Sequence, residues 1–418
     1  MIRVRYYGHF DRRTGYGKAA EELALALLST GQVELEIATP RHRAAEVHPQ
    51  LRDHLRNSDE LVGPLSPRPG FPDVVIIHTL PLDCVRAAVA EGLLIDQQGD
   101  PQALKAYART SDAQLIAYTT FEAVSPAPTD VHFALLPFDQ VWVPSQQQAD
   151  VLPFLARGQT KVVPHSFDER RLAELNARAF DDGDPDRFRF YYIGAWNQRK
   201  NVPGLIRAFA RAFKREDPVE LYLQIAGTAP GDLMMAMAST GIPQQHMPRI
   251  VSNVHAVPDQ QLTELHLRYD CFVTATRAEG FNLPAFDALL ANRMVITQRE
   301  LGSDDFLSYD AQAPGLVGRL EWASDWITGT RMAAIADVEL EDGVNANTPT
   351  NKMLKVRRGL GVDVMAEWLE PDIHDLTKTL INAAKNRKRT AWIDPSALHL
   401  EERFGRIATG KRALELLR

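Results

Sequence analysis

Cysteine is nearly absent from this chain. Cys84 and Cys271 are the only two in 418 residues, which excludes a disulfide framework and falls short of a cysteine zinc site. Each lies in an apolar stretch, so both are expected as buried thiols. Long hydrophobic runs are missing too: nothing approaches the roughly 18 apolar residues of a membrane span. The opening MIRVRYYGHF has no apolar stretch of signal-peptide length, so a cytoplasmic protein without a transmembrane segment is expected. Excess positive charge is the third absence. Lys and Arg number 47 against 54 Asp and Glu, a net charge of −7. That excludes a surface basic enough to coat nucleic acid or anionic membrane throughout, though it leaves room for local basic patches.

What is present is the composition of a packed globular protein, 45% hydrophobic and 24% charged. At about 150 residues per domain the length fits two or three domains; two is the working assumption. Apolar runs alternate with helical periodicity from the first residue. Segments 2–7 and 33–38 read as strands around a helix at 18–28, and further strands are expected at 74–78, 114–118, 140–143 and 161–163. The proline-rich GPLSPRPGFP (63–72) reads as a loop. After a polar stretch ending in DDGDPDRF (181–188) the rhythm restarts, with strands at 189–193, 221–226 and 271–275 and helices at 202–214 and 259–268. The formal Asp-x-Asp in DDGDPD precedes a strand in a polar linker and reads as a solvated turn, not a metal site.

Two such series imply an α/β chain of two doubly wound domains, whose ligands bind beyond the carboxyl ends of the strands. The boundaries read as 1–165 for an N-terminal domain and 166–397 for a C-terminal one. The stretch 309–362 breaks the rhythm and reads as an insertion. A final helix over 398–418 is expected to pack back toward the N-terminal domain. The cleft between the domains is the expected active site.

Three motifs carry chemistry. In RAEGFNLPAFDALLANRMVIT (277–297) a strand runs into a glycine turn and then a helix opened by Pro284, and the free N–H groups of that helix suit an anionic or polyhydroxylated ligand. Glu279 precedes the turn and Asp287 follows eight residues on, so two carboxylates are placed to accept hydrogen bonds from sugar hydroxyls. In YYIGAWNQRKN (191–201) a strand ends at Gly194 and presents Arg199 and Lys200 just before a helix, the makings of a diphosphate site. In GHFDRRTGYGK (8–18), Gly15 and Gly17 permit the close backbone approach that an acceptor or phosphate needs. Each motif also has a plainer structural reading: a helix-capping turn, a solvated basic turn, and an ordinary glycine-rich loop.

The Glu-Gly-Phe-Asn-Leu-Pro run with Asp287 resembles the E-x7-E signature of retaining glycosyltransferases of the GT-B fold, particularly family 4. That resemblance implies two Rossmann-like domains facing each other across a cleft. It also implies that Glu279, with the amides of Gly280, Phe281, Asn282 and Leu283, holds the donor sugar while Asp287 holds the ribose. Asp287 is one methylene shorter than the family's Glu. Gly194 and Lys200 fit the family's first-strand motif of the donor domain; its usual Arg after the glycine is Ala195 here, and Arg199 takes that role. The loop with Gly15 and Gly17 resembles the family's N-terminal glycine loop, and His165 in VVPHSFDE occupies the place of its linker turn.

The implied function is metal-independent transfer of a hexose or similar sugar, with retained configuration, from a UDP- or GDP-sugar to a hydroxyl acceptor. No cofactor is implied beyond that co-substrate. Glu279, Arg199 and Lys200 are the catalytic candidates. On the acceptor side stand Arg12, Arg13, His78, Thr119, Glu122 and His165, several of them at strand ends that face the ligand crevice. The expected acceptor is a glycan. An alternative is a hydroxylated base such as 5-hydroxymethylcytosine in DNA, for which Arg12, Arg13, the run 41–56 and Lys352, Lys355, Arg357 and Arg358 would form a cationic track. An alternative of another class is a non-catalytic nucleotide-sugar-binding module.

Overall fold

The computed structural model describes residues 1–39, 47–55, 72–97, 106–124, 127, 129–152, 159–170, 186–307, 327–330, 332–336, 354–358, 362–366, 368–385 and 399–418. The chain divides into two compact units. One comprises Met1–Glu169, Lys355–Ala366 and Glu401–Arg418, the other Arg170–Leu354 and Glu367–Leu400.

The first unit is built on a six-stranded sheet of β1 (Ile2–Gly8), β2 (Val33–Ala38), β3 (Val74–His78), β4 (Gln114–Tyr118), β5 (Gln140–Val143) and β6 (Thr160–Val162). Their order is β2-β1-β3-β4-β5-β6, and every neighbouring pair is parallel. All five residues of β3 are buried, as expected where helices cover both faces of a parallel sheet. The strand order reverses between β1 and β3. Their carboxyl ends, where Gly8 pairs with His78, are therefore the switch point at which such sheets bind ligands.

Helix α1 (Gly15–Ser29) begins three residues before the expected start at residue 18. Thr14 is its N-cap and accepts from Gly17 N–H at 3.0 Å. Gly15 and Gly17 thus occupy the first helical turn instead of a loop. Gly17 has a specific reason to lack a side chain: a Cβ there would fall 2.0 Å from the carbonyl oxygen of Asp11. The helix Arg406–Leu416 lies against α1; its Ala413 and Leu414, with Leu417 just beyond its end, join the core around Tyr6, Leu27 and Ile37. The single terminal helix expected over 398–418 is in fact two, Leu400–Phe404 and Arg406–Leu416. The break has a backbone cause. Phe167 N–H donates to Phe404 O at 3.2 Å and Arg406 N–H to Phe167 O at 3.1 Å, so Gly405 turns out of the helix to pair with Phe167.

The second unit carries β7 (Phe188–Ala195), β8 (Val219–Ala226), β9 (Ile250–Asn253), β10 (Cys271–Val273), β11 (Met294–Gln298) and β12 (Ile327–Thr330). The order is β9-β8-β7-β10-β11-β12, again parallel throughout. Here the switch point lies between β7 and β10. Helix α2 (Val202–Ala212) buries Val202, Leu205, Ile206 and Phe209 against this sheet. At about 1.5–3 kcal/mol for each large apolar side chain, that stripe alone holds the helix in place.

Part of 309–362, expected as an insertion, is a strand of the sheet itself: Ile327–Thr330 is β12. Four residues with a glycine among them carry too little alternation to read as a strand. Most of the rest of that stretch, and Lys352, lie outside the described residues, as do residues 41–46 and 56 of the basic run. Both cysteines are free and buried, and burial pushes the Cys84 thiol up to about 12. Among the described residues no helix is long and apolar enough to cross a membrane.

Gly410 sets the approach of the last helix to α1, since a Cβ there would lie 2.1 Å from Ala26 O. Gly410→Ala should cost about 1–3 kcal/mol, the usual cost of overpacking, in a urea-unfolding measurement. Unchanged stability would show that the two helices are free to separate.

Candidate functional site

At the switch point of the second unit two loops converge, one after β7 and one after β10. The β7 loop is shaped locally. Trp196 N–H donates to Ala226 O at 2.8 Å, Lys200 N–H to Asn197 Oδ1 at 2.8 Å and Asn201 N–H to Asn197 O at 3.2 Å. Asn201 then takes a left-handed conformation, φ 51°, and caps α2 by accepting from Gly204 N–H at 3.2 Å. Asn tolerates this conformation better than most residues. At Gly194 a Cβ would fall 2.3 Å from the Tyr192 hydroxyl, so the glycine lets that ring pass.

The β10 loop is fastened to it. Arg277 N–H donates to Arg199 O at 2.7 Å and the Arg277 guanidinium to Gln198 O. Two further nitrogens of that guanidinium grip Glu370, the second at 3.0 Å. The loop ends in a second left-handed asparagine, Asn282 with φ 70°, which precedes α3 (Leu283–Leu290). Pro284 occupies the first turn of α3, whose leading N–H groups have no intrahelical acceptor.

Within this frame Glu279, 4% exposed, meets both cations. Lys200 Nζ lies 2.6 Å from Oε1 and Arg199 Nη1 3.2 Å from Oε2, and the same Nη1 donates to Ala278 O at 2.6 Å. Burial pushes the Glu279 carboxyl up, but Lys200, Arg199 and the hydrogen bonds from Lys200 and Thr276 outweigh it, and the net direction is down. Two cations against one anion leave the cluster formally at +1, beside the positive end of a helix.

The sequence-predicted donor residues therefore gather, with distinctions. Glu279, Arg199 and Lys200 are in direct contact. Gly280 and Asn282 are buried in the turn, and Leu283 opens α3. Asp287, half-buried, sits in the second turn of α3. Phe281 is 3% exposed, with its ring packed edge-on to Phe286 at 5.2 Å and tilted on Phe306 at 5.1 Å. Its side chain belongs to the core, which leaves only its backbone for a ligand. Arg277 and Asn201 were not foreseen. An arginine two residues before the key acid was the available signal for the first; nothing in the residue pattern marks the second.

The acceptor-side candidates of the first unit separate into two groups. His78 and His165 lie together at the sheet's carboxyl ends, ring centroids 6.3 Å apart, with Tyr118 4.2 Å from His78. Tyr6, Tyr16 and Thr120 complete this group, Tyr16 and Thr120 joined through their hydroxyls at 2.5 Å. Burial lowers the His165 imidazole to about 3. Thr119 is fully buried beside the Cys84 thiol, and Glu122 is half-buried. Arg12 and Arg13 are elsewhere engaged. Arg12 is shared between Glu21 at 3.1 Å and Glu22 at 2.9 Å, and Arg13 lies 2.9 Å from Asp11. These two members of the expected cationic track are thus paired with acids of the same unit.

Residues 187–317 match the model of the family described as Glycosyl transferases group 1. Among solved structures the chain is similar to Anabaena Alr3699/HepE in complex with UDP and glucose, with TM-score 0.61, 13% identity, and 100% of this chain and 99% of that one covered. It is also similar to sucrose-phosphate synthase from Thermosynechococcus elongatus, with TM-score 0.62, 13% identity and coverage of 100% and 98%. A third likeness is to an E. coli structure described as trehalose-6-phosphate bound with UDP-2-fluoro glucose, with TM-score 0.57, 11% identity and coverage of 99% and 98%. No curated protein matches. The fold is GT-B, as the resemblance implied. The segment matched by the family model spans the loops after β7 and β10.

The ion pairs at Glu279 fix the sign of one pH dependence. A carboxyl whose folded value lies below its ordinary 4.5 contributes stability that is fully present above that ordinary value and is lost as pH falls through the folded value. Acid unfolding of the wild type should therefore be steeper below about pH 4.5 than that of Glu279→Gln, which lacks the titrating group. Parallel acid-unfolding curves would mean that the cluster does not hold Glu279 ionised.

Proposed function

We propose that the chain transfers a hexose or similar sugar from a nucleoside-diphosphate sugar to a hydroxyl acceptor, with retention of configuration and without a metal. The observation that carries this reading is the meeting of Arg199, Lys200 and Glu279 at the switch point, beside the amino end of α3. The donor diphosphate lies against Arg199 and Lys200, whose charges and the nearby helix N–H groups act on the same oxygens. Glu279 turns part of its carboxylate to the sugar hydroxyls, since an ionised carboxyl accepts at about four lone-pair positions. Asp287 takes the ribose. The first unit binds the acceptor.

Chemistry then follows from charge. As the bond from the anomeric carbon to the phosphate oxygen breaks, negative charge grows on the departing diphosphate, where preorganised cations stabilise it most. The acceptor oxygen bonds to the anomeric carbon from the leaving-group face, and its proton passes to the departing phosphate. This route requires no protein nucleophile. The donor is a UDP- or GDP-sugar; the HepE structure with UDP and glucose supports the former. A glycan is the proposed acceptor, because Arg12 and Arg13 are held by acids.

Replacing Arg199 and Lys200 together by Ala should weaken UDP or GDP binding by about 1.5–3 kcal/mol for each charge-assisted hydrogen bond removed. Calorimetry giving wild-type affinity would put the diphosphate elsewhere. Glu279→Ala should abolish transfer with the fold retained, because the interaction it removes strengthens as charge develops; wild-type turnover would take Glu279 out of the site. Transfer should also persist in EDTA, and loss restored by magnesium or manganese would overturn the metal-free route.

A further inference from the structure

His78 ends β3 at the switch point of the first unit, paired in register with Gly8 of β1. It is 2% exposed, and its Nδ1 lies 2.7 Å from the Tyr6 hydroxyl. A count of protons decides which of the two donates. The buried Tyr6 phenol has one proton and, among the described residues, no other acceptor. Were Nδ1–H the donor, that proton would be stranded in the interior, so the phenol donates and Nδ1 accepts. Burial, His165 and His9 hold the His78 imidazole well below its ordinary value. The ring is therefore neutral, and its single proton sits on Nε2.

The neighbouring imidazole is set the other way. Tyr118 O–H donates to Val163 O at 2.6 Å, so the Tyr118 oxygen accepts from His165 Nδ1–H at 3.0 Å. Two adjacent histidines thus hold opposite tautomers, each locked by its own tyrosine. Among the described residues Nε2–H of His78 makes no hydrogen bond, its ring being engaged through Nδ1 alone. The rings of Tyr118 and Tyr16 flank the His78 imidazole, with centroids 4.2 Å and 5.8 Å from its own.

We propose that His78 Nε2–H is a binding donor for an uncharged oxygen, a hydroxyl of a polyhydroxylated substrate held at the carboxyl end of the first sheet. A neutral imidazole does not compensate an anion, and the nearby loop arginines are bound to acids, so a sugar hydroxyl suits this donor and a phosphate does not. The assignment deepens the glycosyl-transfer reading, on which its naming of the ligand class rests.

Protein labelled with 15N-histidine tests it. The His78 signal is identified by its loss in His78→Gln, and long-range 15N–1H spectra report the tautomer. The Nε2–H form is expected in the wild type, giving way to a tautomer mixture in Tyr6→Phe. Glucose, galactose, mannose and N-acetylglucosamine are titrated separately, and inorganic phosphate alongside. At least one sugar should shift the His78 Nε2–H signal and phosphate should not, while His78→Phe should weaken that sugar about tenfold with UDP affinity unchanged. An Nδ1–H tautomer, a signal moved by phosphate alone, or one moved by none of the sugars would overturn the assignment. UDP titration of the same samples separates the two readings: a sugar-responsive His78 in a protein that binds neither UDP nor GDP leaves His78 standing and removes glycosyl transfer.

Discussion

The second unit's site depends on one buried ion cluster, Glu279 with Lys200 and Arg199. It joins two loops that are about 80 residues apart in sequence and meet because a doubly wound sheet reverses its strand order between them. A buried carboxylate is costly without partners, and here its partners are the two cations that would otherwise repel each other at a helix terminus. Arg277 supports the arrangement from behind, one edge on the Gln198 carbonyl and the other on Glu370. Removing Glu279 leaves two cations facing each other, whereas removing either cation leaves a single ion pair. In the proposed reading a diphosphate supplies anionic oxygens to the cations and releases carboxylate lone pairs for sugar hydroxyls.

The first unit uses buried charge differently. Glu22 is gripped by Arg12 at 2.9 Å and by Arg406 at 2.8 Å, and Arg406 also reaches Asp168 at 2.8 Å. This chain of alternating charges ties the loop before α1 to the helix Arg406–Leu416 and to the segment next to Phe167. It leaves the switch point of that sheet lined by neutral imidazoles and phenols. One unit thus presents charge at its strand ends and the other presents uncharged hydrogen-bonding groups, a division suited to a phosphorylated donor and a hydroxylated acceptor.

Much of the strand framework was legible because buried parallel strands read as short apolar runs between turn residues: 33–38, 74–78, 114–118 and 140–143 carry the observed bounds. Glu279, Arg199 and Lys200 were legible because acids and bases at strand ends next to helix starts are uncommon unless they have partners or ligands. Other features depend on tertiary neighbours that no local pattern records. The break at Gly405 exists because Phe167, far away in sequence, pairs there. Gly17 answers to a carbonyl of its own loop, and Phe281 to the rings of Phe286 and Phe306. Arg12 and Arg13 read as free loop cations until Glu21, Glu22 and Asp11 fold against them. Charge alone does not say which acids a loop will meet.

A crystal structure of the protein with UDP-glucose would show whether the Arg199–Lys200–Glu279 cluster holds the donor. β-Phosphate oxygens are expected within hydrogen-bond distance of Lys200 Nζ and the Arg199 guanidinium, with Glu279 turned to the glucose hydroxyls. A nucleotide bound elsewhere, with the Glu279–Lys200 pair still closed, would contradict that expectation.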